Sequence, residues 1–140
     1  MAFSQQFAQD IQAYLNESHT DIPSSPAQLY IGLHSANPSP DCSVSELVGN
    51  GYTRSAITLE SGNSVSTEDL LNKDSVVFQA ATADWPAVSH YSIWDAQSSG
   101  KPYEYGAFDA PIAINNGTSF ALSVNAIKAE IFTVPAVCTP

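Results

Sequence analysis

Basic residues are scarce in this sequence. Its 140 residues contain four Lys and Arg against fourteen Asp and Glu, so the formal net charge at pH 7 is −10. The four cations are scattered singly along the chain, at Arg54, Lys73, Lys101 and Lys128. Binding to a phosphate backbone requires clustered Lys and Arg, so we expect no nucleic-acid partner. The acidic balance favours solubility at high copy number or a basic protein partner.

Long hydrophobic segments are also missing. The amino terminus, MAFSQQFAQDIQ, has neither a basic segment nor a continuous apolar stretch, and so does not resemble a secretory signal. No stretch approaches the ~20 apolar residues that a membrane-spanning helix needs. We therefore expect a protein that is made in the cytosol and has no membrane partner.

Cysteine and histidine are too few and too widely spaced for a metal site. Cys42 and Cys138 form no C-x-x-C pair, which argues against zinc-ribbon and thioredoxin-like folds. His19, His34 and His90 lie outside metal-ligand spacing of one another and of either cysteine. We expect neither a metal nor a cofactor. A disulfide could join the two cysteines, but free thiols are the expectation in a reducing compartment.

Motifs for covalent catalysis are absent. The sequence has no G-x-S-x-G motif, and Ser98 to Lys101 match a phosphate-binding loop only in part, because Pro102 follows where a helix would begin. A carboxylate pair that cleaves a glycosidic bond forms only in the fold, so the sequence leaves a carbohydrate-active enzyme open. Glu104, between Tyr103 and Tyr105, is the candidate residue for it. We predict that the protein is not an enzyme.

The first predicted element is an amphipathic helix. Phe3, Phe7, Ile11 and Leu15 recur every four residues, which predicts a helix over residues 4–16 with Ser4 as its N-cap. This helix could pack on its own sheet or could be an arm that docks on another subunit. Turn formers and prolines follow up to residue 26. We therefore predict a helix and linker arm over residues 1–26 and a β-sandwich domain over residues 27–140.

Short alternating segments dominate the rest of the chain. Strands are predicted over residues 29–34, 52–60, 75–79, 88–95, 103–108 and 126–134, with a hairpin around Asn115-Asn116-Gly117. About eight strands after one N-terminal amphipathic helix indicate an all-β fold, a jelly-roll or Greek-key β-sandwich. The long loop over residues 35–51 favours the Greek key and is typical of a partner-binding segment.

Both tryptophans lie in one stretch, residues 78–95. The alternation in residues 88–95 predicts a strand that is covered on both sides, and Trp85 lies at a corner before Pro86. Trp85 and Trp94 are therefore expected in the sheet-to-sheet core or in a subunit contact. The candidate residues for an oligomer or partner interface are Phe3, Phe7, Ile11, Tyr14, Val44, Leu47, Trp85 and Trp94.

Several longer segments follow one another in a characteristic order. They are LYIGLHSANPSP from Leu29, SELVGNGYTRSAITLE from Ser45, and VVFQAATADWPAVSHYSIWDAQSSGKPYEYGAF from Val76. The most specific pieces are residues 51–54, 81–85 and 93–95. Together with the short helix and the terminal strands, this arrangement resembles a family of small tailed-bacteriophage virion proteins that are often described as tail-fibre-like. The resemblance covers nearly the whole chain.

The resemblance implies a non-enzymatic structural protein of the virion, assembled in the host cytoplasm. Because no segment repeats as in a long fibre shaft, the main prediction is a capsid decoration or cement protein that stabilises capsomer junctions. It would act as a homo-oligomer bound to the major capsid protein or other virion proteins. The alternative is a tail-fibre or tail-tip component, a glycan- or receptor-binding β module with Tyr103, Glu104 and Tyr105 as candidate glycan contacts.

Overall fold

The computed structural model describes residues 2–15, 26–61 and 67–133, in which ten strands follow or flank a single helix. The elements are β1 (Ala2–Phe3), α1 (Gln5–Leu15), β2 (Leu29–His34), β3 (Ser55–Ile57), β4 (Leu59–Ser61), β5 (Thr67–Asn72), β6 (Val76–Val77), β7 (Val88–Trp94), β8 (Pro102–Ile112), β9 (Ala121–Leu122) and β10 (Lys128–Thr133). The predicted all-β class with one N-terminal helix is confirmed. Its assignment to a jelly roll or a Greek key stays a prediction.

The main sheet is antiparallel and has the order β1-β8-β7-β2-β3. Strand β7 lies between β2 and β8, with Ile93 opposite Ile31 on one side and Glu104 on the other. Consecutive residues on β7 point to opposite faces, yet Tyr91, Ser92, Ile93 and Trp94 are all buried. The predicted double coverage of this strand is therefore confirmed.

Strands β3 and β4 are separated by Thr58 alone, and they belong to different sheets. Strand β3 ends the main sheet, while β4 begins a second antiparallel sheet with the order β10-β5-β4. The chain thus passes from one sheet to the other within a few residues. In this second sheet β5 lies between β10 and β4 and pairs with both.

The predicted hairpin at residues 112–122 is wrong in its pairing. Asn115 to Gly117 do form a turn, with Gly117 at φ +85° and the Thr118 amide donating to the Asn115 carbonyl at 3.0 Å. The strand after the turn, β9, pairs with β6 instead of with the strand before it, so Val76 lies opposite Leu122. The turn motif encodes the local bend but does not encode the partner of the following strand.

The apolar core is formed between the sheets and the loops that close them. Its buried residues come from β2, β3, β6, β7, β9 and the loops around them, and include Ile31, Leu33, Phe78, Trp85, Ile93, Ile114 and Ile127. Neither β1 nor α1 contributes a residue to this cluster. Among the side chains that the structure describes, the buried apolar cluster therefore lies within residues 29–127.

Helix α1 begins one residue after its cap, as predicted. The Ser4 hydroxyl oxygen accepts a hydrogen bond from the Phe7 amide at 3.1 Å, which satisfies one of the first free amides of the helix. No residue of α1 is fully buried. The preceding strand β1 pairs with β8, so the N-terminal segment adds to the edge of the main sheet. The division into an arm over residues 1–26 and a β domain over residues 27–140 stays a prediction.

Candidate functional site

The N-terminal arm, which we define as residues 2–15, docks on one short part of β8. In β1, Ala2 lies opposite Tyr105 and Phe3 lies opposite Glu104. Ser4 is fully buried: its amide donates to the Tyr103 carbonyl at 2.7 Å, and its hydroxyl donates to the Pro102 carbonyl at 2.5 Å. These contacts fix the position of the arm along β8, because strand pairing and both polar groups of Ser4 define a single register.

The apolar side of the arm is only half covered. The Phe7 ring packs edge-on against Phe3, with centroids 5.1 Å apart, and against Tyr103 at 4.9 Å. Ile11 is half-buried, while Tyr14 and Leu15 are 46% and 67% exposed. Four of the predicted interface residues, Phe3, Phe7, Ile11 and Tyr14, are therefore neighbours on one arm. An ion pair between Asp10 and Lys101 also connects the arm to the start of β8.

Arg54 is the centre of a buried polar cluster on the opposite side of β7 from the core. Its guanidinium forms two hydrogen bonds to the Glu46 carboxylate, at 2.7 and 2.8 Å, and donates to the carbonyls of Ala96 and Ser99. The same group lies 3.7 Å from the centroid of the Trp94 ring. Arg54 is 6% exposed. The fork geometry of arginine allows it to join a carboxylate, an indole and two carbonyls at once.

Ser92 extends this cluster, which we call the Arg54 cluster, into β2. The Trp94 indole nitrogen lies 2.6 Å from the Ser92 hydroxyl oxygen, and His34 Nε2 lies 2.7 Å from the same oxygen. His34 Nδ1 lies 2.7 Å from the Val44 carbonyl. Because an indole only donates and a carbonyl only accepts, Ser92 donates to Nε2 and neutral His34 donates from Nδ1. Burial lowers the pKa of His34, which favours this neutral form.

Glu46 links the Arg54 cluster to the apolar core through Tyr52. Burial opposes ionisation of Glu46, but the hydrogen bonds and charge of Arg54 outweigh it, so its pKa lies below the usual value. The Tyr52 hydroxyl donates to Glu46 at 2.8 Å and accepts from the Leu33 amide at 3.0 Å. A side chain at Gly32 would place its Cβ 2.9 Å from the Glu46 carboxylate, which explains a glycine in a central strand.

The loop from residue 35 to residue 54 is therefore fixed at several points. Five of its residues have a positive φ: Ser39, Cys42, Ser45, Gly49 and Asn50. Gly51 follows at φ +82°. A Cβ at Gly51 would lie 2.9 Å from the Ala80 carbonyl oxygen, so this loop packs closely on the loop before Trp85. Cys42 is a buried free thiol, and burial raises its pKa to about 12, which disfavours the reactive thiolate. Cys138 lies outside the described residues.

The other predicted interface residues occupy different environments. Val44 is 44% exposed on this loop, whereas Leu47 and Trp85 are buried in the core. Trp85 donates from its indole nitrogen to the Asn50 carbonyl at 2.8 Å and packs edge-on against Tyr52, with centroids 5.7 Å apart. Trp94 is buried beneath Arg54. The structure thus brings together the interface candidates of the arm, and it separates them from the two tryptophans, which cross-link elements within this chain.

The three candidate glycan contacts do not form one surface. Tyr103 is half-buried between Phe7 and Lys101, whose ammonium lies 4.9 Å from the ring centroid. Glu104 is 5% exposed and points to the opposite face, opposite Ile93. Its Oε2 atom has no hydrogen-bond partner, and burial raises its pKa to about 7. Tyr105 is half-buried opposite Ser92.

An open cleft of about 390 Å³ adjoins the Arg54 cluster. Its lining includes Val48, which is 89% exposed, together with Thr53 and Ser98. The charged groups at its base are Glu46 and Arg54, and they are already paired with each other. The cleft therefore presents small polar and aliphatic groups but offers no unpaired charge from this pair to a ligand.

Metal-ligating groups do not converge in the part of the chain that the structure describes, where no three His, Cys, Asp or Glu side chains could hold an ion together. Across residues 2–15, 26–61 and 67–133, no helix has the length and apolarity to cross a bilayer. Sequence reasoning missed the Arg54 cluster. Its available signals were a lone arginine in an acidic chain and a glycine in a central strand.

These features define a small, acidic, all-β protein whose loops are fixed internally and whose N-terminal arm docks on a sheet edge. The sequence matches the family described as "Podophage GP4 fiber I protein gp80" over residues 2–130, and the chain belongs to this family. It is therefore a structural protein of the tailed-phage virion, which confirms the resemblance seen in the sequence. The comparison with curated proteins returned no match.

The segments that carried the resemblance meet in the structure. Arg54, from the Gly51 to Arg54 motif, lies over Trp94, and Tyr52 of the same motif packs against Trp85. One short motif therefore contacts both tryptophans from different sides. The most specific segments of the resemblance, residues 51–54, 81–85 and 93–95, therefore connect the long loop to the sheets.

Proposed function

We propose that this chain is a non-enzymatic structural component of the tail-fibre apparatus of a podophage particle. The observation that supports it is the family match over residues 2–130, whose description names a fibre protein of a podophage. This description favours the tail-fibre alternative over the capsid cement protein that was the main prediction from the sequence. The absence of repeated shaft segments suits a compact fibre component that joins larger proteins.

The internal contacts support a structural role for the fold. The Arg54 cluster joins the loop over residues 35–54 to β2 and β7 through hydrogen bonds of 2.6 to 3.0 Å. Buried, fully paired polar groups favour one arrangement of the chain over others, because each misplaced group would lose its partner. A protein that transmits force within a particle benefits from such fixed loops.

The candidate partner surface is the half-covered side of the N-terminal arm. Phe7 and Ile11 are half-buried, and Tyr14 and Leu15 are more exposed, so apolar area remains for another subunit. We propose that the partners are further copies of this chain and a neighbouring tail or fibre protein. Arg54 and Lys101 are paired with carboxylates and the formal net charge is −10, so a basic surface on the neighbouring tail or fibre protein would complement this chain.

Glycan binding and glycan cleavage receive less support from the geometry. A catalytic carboxylic acid has to reach the glycosidic oxygen, and Glu104 is only 5% exposed. Tyr103 has one ring face engaged by Phe7. An aromatic platform for a sugar needs an accessible face, so the arm would compete with a ligand at this position.

Labelling of intact particles tests the proposed location. A short epitope tag placed in the exposed turn at Val124, detected by immunogold electron microscopy, should appear at the tail fibres. A matched tag at the exposed Asn116 turn controls for masking of one site in the particle. Label distributed over the capsid shell from both tags would contradict the proposal and favour the cement function.

A further inference from the structure

We infer that the N-terminal arm, residues 2–15, is exchanged between neighbouring copies and binds the 101–105 segment of β8 on the next subunit in the register seen within one chain. This inference rests on the proposed function, because a fibre component assembles with many copies at close range. The partner is a second copy of this chain. The binding surface is the edge of β8 that β1 covers.

The contacts of the arm are local and specific. Ser4 supplies two hydrogen bonds to consecutive carbonyls of β8, at Pro102 and Tyr103. Asp10 pairs with Lys101, and Phe7 packs on Tyr103. Outside this segment, β1 also lies close to β10, and the Gln5 amide donates to the Pro40 carbonyl at 2.7 Å. Such a short strand with a capped helix is the arrangement of a peptide that adds to a sheet edge.

The arm does not take part in the core that holds the β structure together. The buried apolar cluster contains no residue from 2–15, and no side chain of α1 is fully buried. Release of the arm would therefore expose the edge of β8 and the half-covered aromatic rings but would leave the packed core in place. An element of this kind can leave its own chain without global unfolding.

The covalent connection between the arm and the β structure is long enough for exchange. Ten residues, 16–25, separate Leu15 from Pro26 in the sequence. A segment of this length can reach about 35 Å when fully extended. The arm can therefore reach either its own β8 or that of an adjacent copy of a small protein.

The exchanged and the intrachain forms contain the same docking contacts, so local concentration decides between them. For a connection of about ten residues, the intrachain effective concentration is on the order of mM. Copies gathered at one attachment site reach comparable concentrations.

Cysteine cross-linking between differently tagged chains tests the exchange. One chain carries Ala2→Cys and the other carries Tyr105→Cys, because these positions lie directly opposite each other in the β1–β8 pair. Opposed positions of this kind have the Cα separation that a disulfide requires. Both chains also carry Cys138→Ser, whereas Cys42 is buried and is retained. The full-length chains are co-expressed, purified and mildly oxidised.

Exchange predicts a disulfide-linked heterodimer that contains both tags on a non-reducing gel. The matched control replaces Tyr105→Cys by Ala107→Cys, an exposed position on the same strand that does not face β1; the heterodimer should then be lost. A double variant, Ala2→Cys with Tyr105→Cys on one chain, reports docking within a chain. Absence of the two-tag heterodimer, or equal cross-linking from Ala107→Cys, overturns the inference.

The two proposals can fail separately. Cross-linking is measured on purified protein and does not depend on where the chain lies in the particle. A heterodimer together with capsid labelling would overturn the tail-fibre function and leave the exchange standing. Tail labelling together with purely intrachain disulfides would overturn the exchange and leave the tail-fibre function standing.

Discussion

At the scale of single residues, the Ser92 hydroxyl joins two buried side chains. Its hydroxyl accepts from Trp94 and donates to His34, and both partners are buried. Ser92→Ala would leave an indole N–H and a ring nitrogen unpaired, so we expect a loss of about 1–3 kcal/mol in the free energy of unfolding. Chemical denaturation measures it.

Ser89→Ala provides the control on the same strand. Its hydroxyl lies 2.8 Å from His90 Nδ1, and both residues are only half-buried, so water can replace the lost contact. We expect a change within about 0.5 kcal/mol. Equal losses for the two variants would mean that the hydrogen-bond chain through Ser92 contributes nothing specific.

Glu104 makes the stability of the protein depend on pH. Burial raises its pKa from 4.5 to about 7, so the folded state binds more protons than the unfolded state between these values. The free energy of unfolding should therefore fall as pH rises from about 4.5 to 7, by about 3 kcal/mol in total from this group. Glu104→Gln should remove this contribution and stabilise the protein at pH 8.

Denaturation curves at a series of pH values, recorded for the wild type and the variant, check this prediction. The difference between the two curves isolates Glu104 from the other titrating groups. Glu60→Gln, at an exposed position, is the matched control. A Glu104→Gln variant that is less stable than the wild type at pH 8 would show that the carboxylate is satisfied in the folded state.

At the scale of elements, α1 differs from the central strands because none of its residues is fully buried and part of its apolar area is exposed. Phe7→Asp combined with Ile11→Asp places two charges on its half-covered side, so we expect loss of oligomerisation and of particle binding. The β structure should persist, because the core cluster contains no residue of the arm. Light scattering measures the oligomer, and circular dichroism measures the strands.

Gln9→Asp with Gln12→Asp adds the same charge to exposed positions of the helix, and at 0.1 M salt or above, where the added repulsion is screened, it should still form the oligomer. If the Phe7 and Ile11 variant loses its β structure as well, the helix belongs to the folding core and the arm is not a separate docking element.

For the whole molecule, charge governs association. Each copy carries a formal net charge of −10, so neighbouring copies repel one another at low ionic strength. The Debye length falls from about 30 Å at 0.01 M to about 10 Å at 0.1 M salt, which screens this repulsion. We expect the oligomer fraction to rise over this range.

Sedimentation velocity at several salt concentrations measures the effect on association. The Gln9→Asp and Gln12→Asp variant, with two further negative charges, should need more salt for the same oligomer fraction. Weaker association at higher salt would contradict the prediction and would indicate that ion pairs between copies dominate the contact.

The sequence by itself determined the features that depend on neighbouring residues. The four-residue repeat of Phe3, Phe7 and Ile11 and the cap at Ser4 predicted α1, and the alternation around Tyr91 to Trp94 predicted a strand covered on both faces. These features are confirmed because helix capping and strand alternation follow from local backbone geometry. The family resemblance also came from the sequence, through short motifs in a fixed order.

Only the tertiary structure decided which distant residues meet. Arg54 lies over Trp94, forty positions further along the chain, and β9 pairs with β6 instead of with the strand before its turn. Glu104 alternates correctly in the strand pattern, yet in the fold it is 5% exposed, on a strand paired with β1 and β7. Such contacts depend on how sheets and loops stack, and local periodicity contains no information on that stacking.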